Sequence, residues 1–149
     1  MTDPRPMLVE LSFKAKTYDI DYAGIVHNTV YIRWLEDLRL KIMDDYYPFD
    51  KMLANNQSPI LEKTEINYRF PLRIFEEVSG QMWVSKLGKA RWEVQAEFIR
   101  DGLVVTQAKQ TGYFIDLERF RPIRSEYPRR CELNGSRTGD KLQCQLLMQ

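Results

Sequence analysis

An α+β fold, with one long helix packed on a curved antiparallel sheet, is predicted by three features of the 149-residue chain. A first segment alternates apolar and polar residues, as a half-buried strand does. An amphipathic helix follows it. Four more alternating segments then succeed one another across short turns, which makes neighbouring strands antiparallel. A single sheet curled around a single apolar helix buries both.

The first strand lies within residues 7–18. Val9, Leu11, Phe13 and Ala15 point one way, and Glu10, Ser12, Lys14 and Lys16 the other. In the helix, Tyr31, Trp34, Leu35, Leu38 and Ile42 recur at helical spacing and form one apolar face. Arg33, Asp37 and Lys41 stand four apart on a polar stripe where opposite charges can pair. Pro48 closes this region, and a short helical turn over 50–55 is expected next. Ile60, Glu62, Thr64, Ile66, Tyr68 and Phe70 alternate with their neighbours in a second strand that Pro71 ends. Val78, Gly80, Met82 and Val84 mark the third strand, Gly88 a turn, and Trp92, Val94, Ala96 and Phe98 the fourth. Asp101-Gly102 is a two-residue hairpin signal leading into a long last strand over 103–116. After Pro122 the pattern decays. The expectation is one domain over 1–149, with a core over about 7–122 and an extended or partly disordered tail over about 123–149.

Composition narrows the function. Hydrophobic residues make up 44% and charged residues 29%, as in ordinary globular chains. A formal charge of +1 implies no broad basic surface for nucleic acid or anionic membrane. The basic run over 119–130 is broken by Glu126 and two prolines and reads as a solvated segment. No apolar run approaches the roughly 20 residues of a membrane span, and the N-terminus has no apolar signal core; a cytoplasmic protein is expected. Cys131 and Cys144 are far apart with no CxxC pair, which argues against a disulfide or a metal site. One histidine does not supply a zinc hydrolase. GxGxxG, phosphate-loop and GxSxG signatures are absent.

The informative stretch is DIDYAGIVHNTVYIRWLEDLR, residues 19–39, which follows the first strand and opens the helix. Its pattern of Asp19, Asp21, Ala23, Gly24, Ile25, Val26, Tyr31, Trp34 and an acid at Glu36 resembles the hotdog-fold thioesterases of the 4-hydroxybenzoyl-CoA thioesterase type. With the order of elements, the resemblance covers roughly 7–122. It implies the hotdog fold, a homo-oligomer (dimer or tetramer) with sites at the subunit interface, and hydrolysis of a coenzyme A or acyl-carrier-protein thioester to free acid and thiol. No metal and no bound cofactor are implied, coenzyme A or carrier protein being part of the substrate. The essential carboxylate falls at Asp21. The polarising N–H falls at Asn28, where relatives carry Tyr or His; that role needs only backbone.

The physical chemistry agrees with this assignment. Attack on a thioester carbonyl develops negative charge on oxygen, and a helix N-terminus offers unpaired N–H groups and a positive dipole end. Backbone N–H groups from Ile25 to Asn28 are the candidates. Asp21, just before that N-terminus, suits a nucleophile or a general base on water, and the residues do not choose between these. Gly24 would let backbone approach the substrate.

Each candidate also has a plainer reading. Asp21 alone would be a turn or capping residue, and Asp19 is read as holding the loop. His27 has the right chemistry for proton transfer, but shaping the pocket or hydrogen bonding beside the site is the favoured role. Tyr31 is core or pocket wall. Glu36 shares a helix stripe with Ile32, Leu40 and Met43; it either pairs with Arg39 or Arg33, or contacts the acyl group. Lys86, Lys89 and Arg91 around the Gly88 turn are ordinary hairpin charges, or meet coenzyme A phosphates as the resemblance implies. Two rivals stand beside the hydrolase. A hotdog hydratase would need a different Asp/His motif. A non-catalytic module binding acyl thioesters or fatty acids is opposed by Asp21 and Gly24.

Overall fold

The computed structural model describes residues 4–88 and 90–123. Strand β1 (Val9–Lys14) leads through a 3-10 turn (Thr17–Asp19) to helix α1 (Asn28–Tyr46) and the short helix α2 (Phe49–Ala54). Strands β2 (Gln57–Tyr68), β3 (Glu77–Leu87), β4 (Arg91–Arg100), β5 (Leu103–Asp116) and the two-residue β6 (Arg121–Pro122) follow. The sheet order is β1-β3-β4-β5-β2, antiparallel throughout, with β6 added to the end of β5. This is the antiparallel sheet on one long helix that the alternation predicts, and the hotdog arrangement that the resemblance implies. β2 is an edge strand.

The apolar face of α1 forms as its spacing requires. Val30, Tyr31, Trp34, Leu35, Leu38, Ile42 and Tyr46 are all buried. Opposite them, Val78, Met82 and Val84 of β3 and Trp92, Val94, Ala96 and Phe98 of β4 present every second residue to the helix. Leu35 and Leu38 lose all contact with water, each worth about 1.5–3 kcal/mol of burial. At the helix N-terminal end an aromatic cluster closes the core. Phe13 stacks on Trp34 with centroids 5.1 Å apart, and Tyr31 meets Phe98 and Tyr68 edge-on at 5.6 and 5.2 Å.

Element ends follow local chemistry. Tyr47 precedes Pro48 and takes an extended φ of −152°, so α1 stops there. Asp101 and Gly102 both adopt positive φ, 50° and 76°, in the tight turn between β4 and β5.

Three expectations need correction. The second strand begins at Gln57 rather than near Ile60, because on an edge Pro59 interrupts no ladder on its open side. On the polar stripe of α1, Arg33 reaches Asp19 in the preceding loop rather than Asp37, while Lys41 pairs at the four-residue spacing with Asp45, still within the helix. The two-residue β6, which ends at Pro122 where the pattern decays, is too short for alternation to mark. The expected disorder of the tail, and Cys131 and Cys144, lie outside the described residues apart from Ile123. Among the described residues no helix is long and apolar enough to cross a membrane.

Candidate active site

The loop between β1 and α1 is built around two aspartates. Asp19 is buried at 5% exposure. Its Oδ2 accepts the Lys16 N–H at 2.8 Å and its Oδ1 the Arg33 guanidinium at 2.5 Å. Asp19 thus ties the end of the first strand region to the second turn of α1, as its structural reading expects.

Asp21 folds the loop tip on itself. Its N–H donates to the Ile25 carbonyl at 2.9 Å, and its own carbonyl accepts from the Gly24 N–H at 3.0 Å. Side-chain Oδ1 accepts from Ala23 N–H at 2.8 Å and, more weakly, from Ile25 N–H at 3.4 Å. Oδ2 makes no hydrogen bond among the described residues. Gly24 has φ +78°, which L side chains rarely adopt, and a Cβ there would meet no atom within 4 Å. The turn's backbone conformation, rather than crowding, therefore calls for glycine at this position.

The backbone donors of this segment are nearly all taken. Val26 N–H bonds the Leu72 carbonyl at 2.8 Å, and His27 N–H bonds the Asp19 carbonyl at 2.8 Å. Ile25 N–H faces Asp21. Inside the helix, Thr29 N–H is capped by the His27 ring nitrogen Nδ1 at 3.2 Å, and Val30 N–H bonds the His27 carbonyl at 3.0 Å. Asn28 N–H alone in this run has no acceptor among the described residues. Of the four donors that the sequence offers, Ile25 to Asn28, only the Asn28 N–H is without an acceptor among the described residues. Its position, the first residue of α1, puts it at the positive end of the helix dipole.

The single histidine is the N-cap of α1. Nδ1 also lies 2.8 Å from the Thr29 hydroxyl. A neutral ring that accepts at Nδ1 carries its proton on Nε2, which is free to donate outward. Nothing in the helical periodicity signals this, because histidine is not a favoured cap. Val26 and Tyr31 are each only 2% exposed and belong to the core. Burial pushes the Tyr31 phenol above its ordinary pKa and keeps it protonated.

A cavity of about 260 Å³ opens between the C-terminal half of α1, α2 and the sheet. Met43, Leu61, Trp92, Val94 and Phe114 are among its walls, and Glu36 and Arg39 its charged lining. Residues 20–28 do not line it. Glu36 is exposed and forms neither expected ion pair: Arg33 is engaged by Asp19, and Arg39 by Gln110. At the β3–β4 turn, Lys86 stands 3.7 Å from Glu93, and Arg91 pairs with Glu62. Lys89 lies outside the described residues.

Comparison with known proteins places this geometry. The family model described as "Thioesterase-like superfamily" matches residues 15–134. Curated proteins searched by sequence give no match. Among solved structures, the probable thioesterase YbaW from Escherichia coli is 22% identical with a TM-score of 0.75, covering 82% of this chain and 94% of its own. A DHNA-CoA thioesterase from Staphylococcus aureus is 19% identical with a TM-score of 0.74, covering 95% and 90%. A gentisyl-coenzyme A thioesterase is 16% identical with a TM-score of 0.74, covering 82% and 99%. At these identities the structures establish a shared fold. The family match spans most of the chain, and the protein therefore belongs to the thioesterase-like superfamily, a family of thioester hydrolases.

Proposed function

We propose that the chain hydrolyses an acyl- or aroyl-CoA thioester, or the acyl-carrier-protein equivalent, to free acid and thiol. Asp21 supplies the catalytic carboxylate and Asn28 N–H polarises the carbonyl. The observation that carries this reading is the pair of unsatisfied groups on one loop: Asp21 Oδ2 and the Asn28 N–H, in a segment where neighbouring donors are bonded. The names of the structural neighbours, DHNA-CoA and gentisyl-coenzyme A thioesterases, support coenzyme A as carrier.

Two routes use the same oxygen. In one, Oδ2 attacks the carbonyl carbon, the C–S bond breaks, and the thiolate leaves and takes a proton; water then cleaves the Asp21 anhydride. In the other, Oδ2 accepts a proton from water as that water attacks; the C–S bond of the tetrahedral intermediate then breaks, and the leaving thiolate takes that proton. In both, the Asn28 N–H and the helix dipole stabilise the oxyanion. No bound metal or cofactor enters either route. His27 Nε2–H is a donor beside the site.

The functional unit is a homo-oligomer, a dimer or a tetramer. β2 is a twelve-residue edge, long enough to pair with a second copy. Its end is tied to the helix N-terminus, where the Tyr68 hydroxyl donates to the Asn28 carbonyl at 3.3 Å. Its beginning, at Ser58, Pro59 and Leu61, lines the cavity. Antiparallel pairing of two β2 edges about a two-fold axis would set the cavity of one copy beside Asp21 of the other. Arg91, paired to Glu62 of β2, would come to the same side, where a coenzyme A phosphate could exchange for the exposed Glu62. Lys86 and Lys89 are further candidates for those phosphates, and a cytoplasmic location suits the substrate.

Free-thiol release from a panel of acyl-CoA, aroyl-CoA and acyl-carrier-protein thioesters tests the proposal. Turnover of one class supports it and names the carrier. Tight binding of thioesters with no thiol released from any of them would favour the non-catalytic binding module.

A further inference from the structure

We propose that Arg39 reads an anionic group at the far end of the acyl chain, so that the cavity takes medium-length acyl groups ending in a carboxylate. This rests on the thioesterase reading above and on the dimer proposed there, which sets this cavity beside Asp21 of the second copy.

The cavity is mostly apolar, with Arg39 its one cation and the exposed Glu36 its one carboxylate. Its 260 Å³ exceeds the roughly 150 Å³ that holds benzene, which scales to a chain of about ten carbons. Arg39 is half-buried. Burial lowers its pKa, with the charge of Glu36 acting in the opposite direction.

The guanidinium is held in place by neutral groups. Nη1 donates to Gln110 Oε1 at 2.5 Å, and Gln110 Nε2 donates to Thr64 Oγ1 at 3.0 Å. Gln110 is 1% exposed on β5. A guanidinium carries five N–H donors, and among the described residues this is the single hydrogen bond Arg39 makes. No described carboxylate comes within ion-pair distance of it. Glu36 lines the same cavity but is exposed, and water screens its charge.

A half-buried guanidinium with one hydrogen bond, and with only the exposed Glu36 charge nearby, keeps donors unmet at the cavity wall. A carboxylate entering along the apolar walls would supply the missing acceptors, and the planar fork of arginine suits it for paired N–H···O bonds. A chain ending in methyl would remove more water from the guanidinium and return no acceptor. The site therefore discriminates by chain terminus, not by length alone.

The test compares kcat/KM for the mono-CoA thioester of octanedioic acid with that for octanoyl-CoA. Wild type should favour the carboxylate-tipped substrate by about tenfold or more, the scale of one charged hydrogen-bonded contact. Arg39→Met should lower that ratio by about tenfold, with Arg39→Lys between the two, because the charge remains and the fork is lost. Titration calorimetry with free octanedioic and octanoic acids gives a readout that needs no turnover. Arg39-dependent binding of the diacid without hydrolysis of any thioester would uphold this proposal and sink the hydrolase reading. Hydrolysis of both thioesters with a wild-type ratio near one, or a ratio that Arg39→Met leaves unchanged, would overturn the proposal and leave the hydrolase reading standing. Absence of both hydrolysis and diacid binding overturns it as well.

Discussion

Gly112→Ala should damage this protein far more than Gly24→Ala, although the chemical change is the same. At Gly112, in β5, an added Cβ would lie 2.0 Å from the Ile60 carbonyl oxygen and 2.3 Å from Trp92 Cζ2. A carbon normally meets a carbonyl oxygen at about 3.3 Å, so the strands must separate by about 1.3 Å there. The obstacle is backbone, and no rotamer change relieves it. A separation of that size stretches local N–H···O bonds beyond about 4 Å, outside hydrogen-bonding range. Two lost ladder bonds at about 1 kcal/mol each, plus about 1–3 kcal/mol of overpacking against Trp92, give about 3–5 kcal/mol. At Gly24 the added methyl meets nothing, and the penalty is the positive φ alone, about 1–2 kcal/mol. Urea denaturation read by tryptophan fluorescence measures both. Thermal midpoints should fall by about 10 °C for Gly112→Ala and by about 4 °C for Gly24→Ala. A Gly112→Ala protein as stable as wild type would refute the packing of β2 on β5 described above. The same substitution should also deform the cavity, because Leu61 and Trp92 line it.

Other expectations follow from the loop around Asp21. His27→Ala should cost about 1 kcal/mol of stability through loss of the α1 cap, and His27→Ser should restore most of it; equal stability of all three proteins in denaturant titration would remove the capping role. Asp19→Ala frees the Lys16 N–H and the Arg33 guanidinium and should cost about 1–3 kcal/mol, visible in the same titration. Glu76 titrates below the ordinary carboxylate range, chiefly because the Arg73 N–H donates to it, with Arg100 adding to the effect. A depressed carboxylate stabilises the fold at neutral pH, and that contribution is lost as pH falls from about 4 through its folded value. Glu76→Gln should flatten this acid limb of the stability profile; an unchanged slope would show that Glu76 is not responsible.

Much of the architecture was legible because its signals are local. The apolar spacing of α1, the Asp101-Gly102 turn and the bounds of β5 at Leu103 and Asp116 are each written in neighbouring residues. Asp21 was legible as a candidate from its place in a motif before a helix. Long-range pairing was not. Arg39 meets Gln110, seventy-one residues away, and no pattern within α1 indicates a partner on β5. Arg33 likewise prefers buried Asp19 over Asp37 on its own helix, because the loop folds back onto the second turn. The narrowing of four candidate N–H donors to Asn28 depends on carbonyls from Asp19 and Leu72, which the chain brings together only when folded. Gly112 looked like any strand residue; its reason is the Ile60 carbonyl across the ladder.

The most direct test of the central claim is the turnover of Asp21→Asn against wild type, on whichever thioester wild type hydrolyses best. The substitution keeps the shape of the side chain and an oxygen for the Ala23 N–H, so the denaturation midpoint should hold. If the carboxylate carries the chemistry, kcat should fall by at least about 10²-fold. A folded Asp21→Asn protein that turns over as fast as wild type would contradict the account.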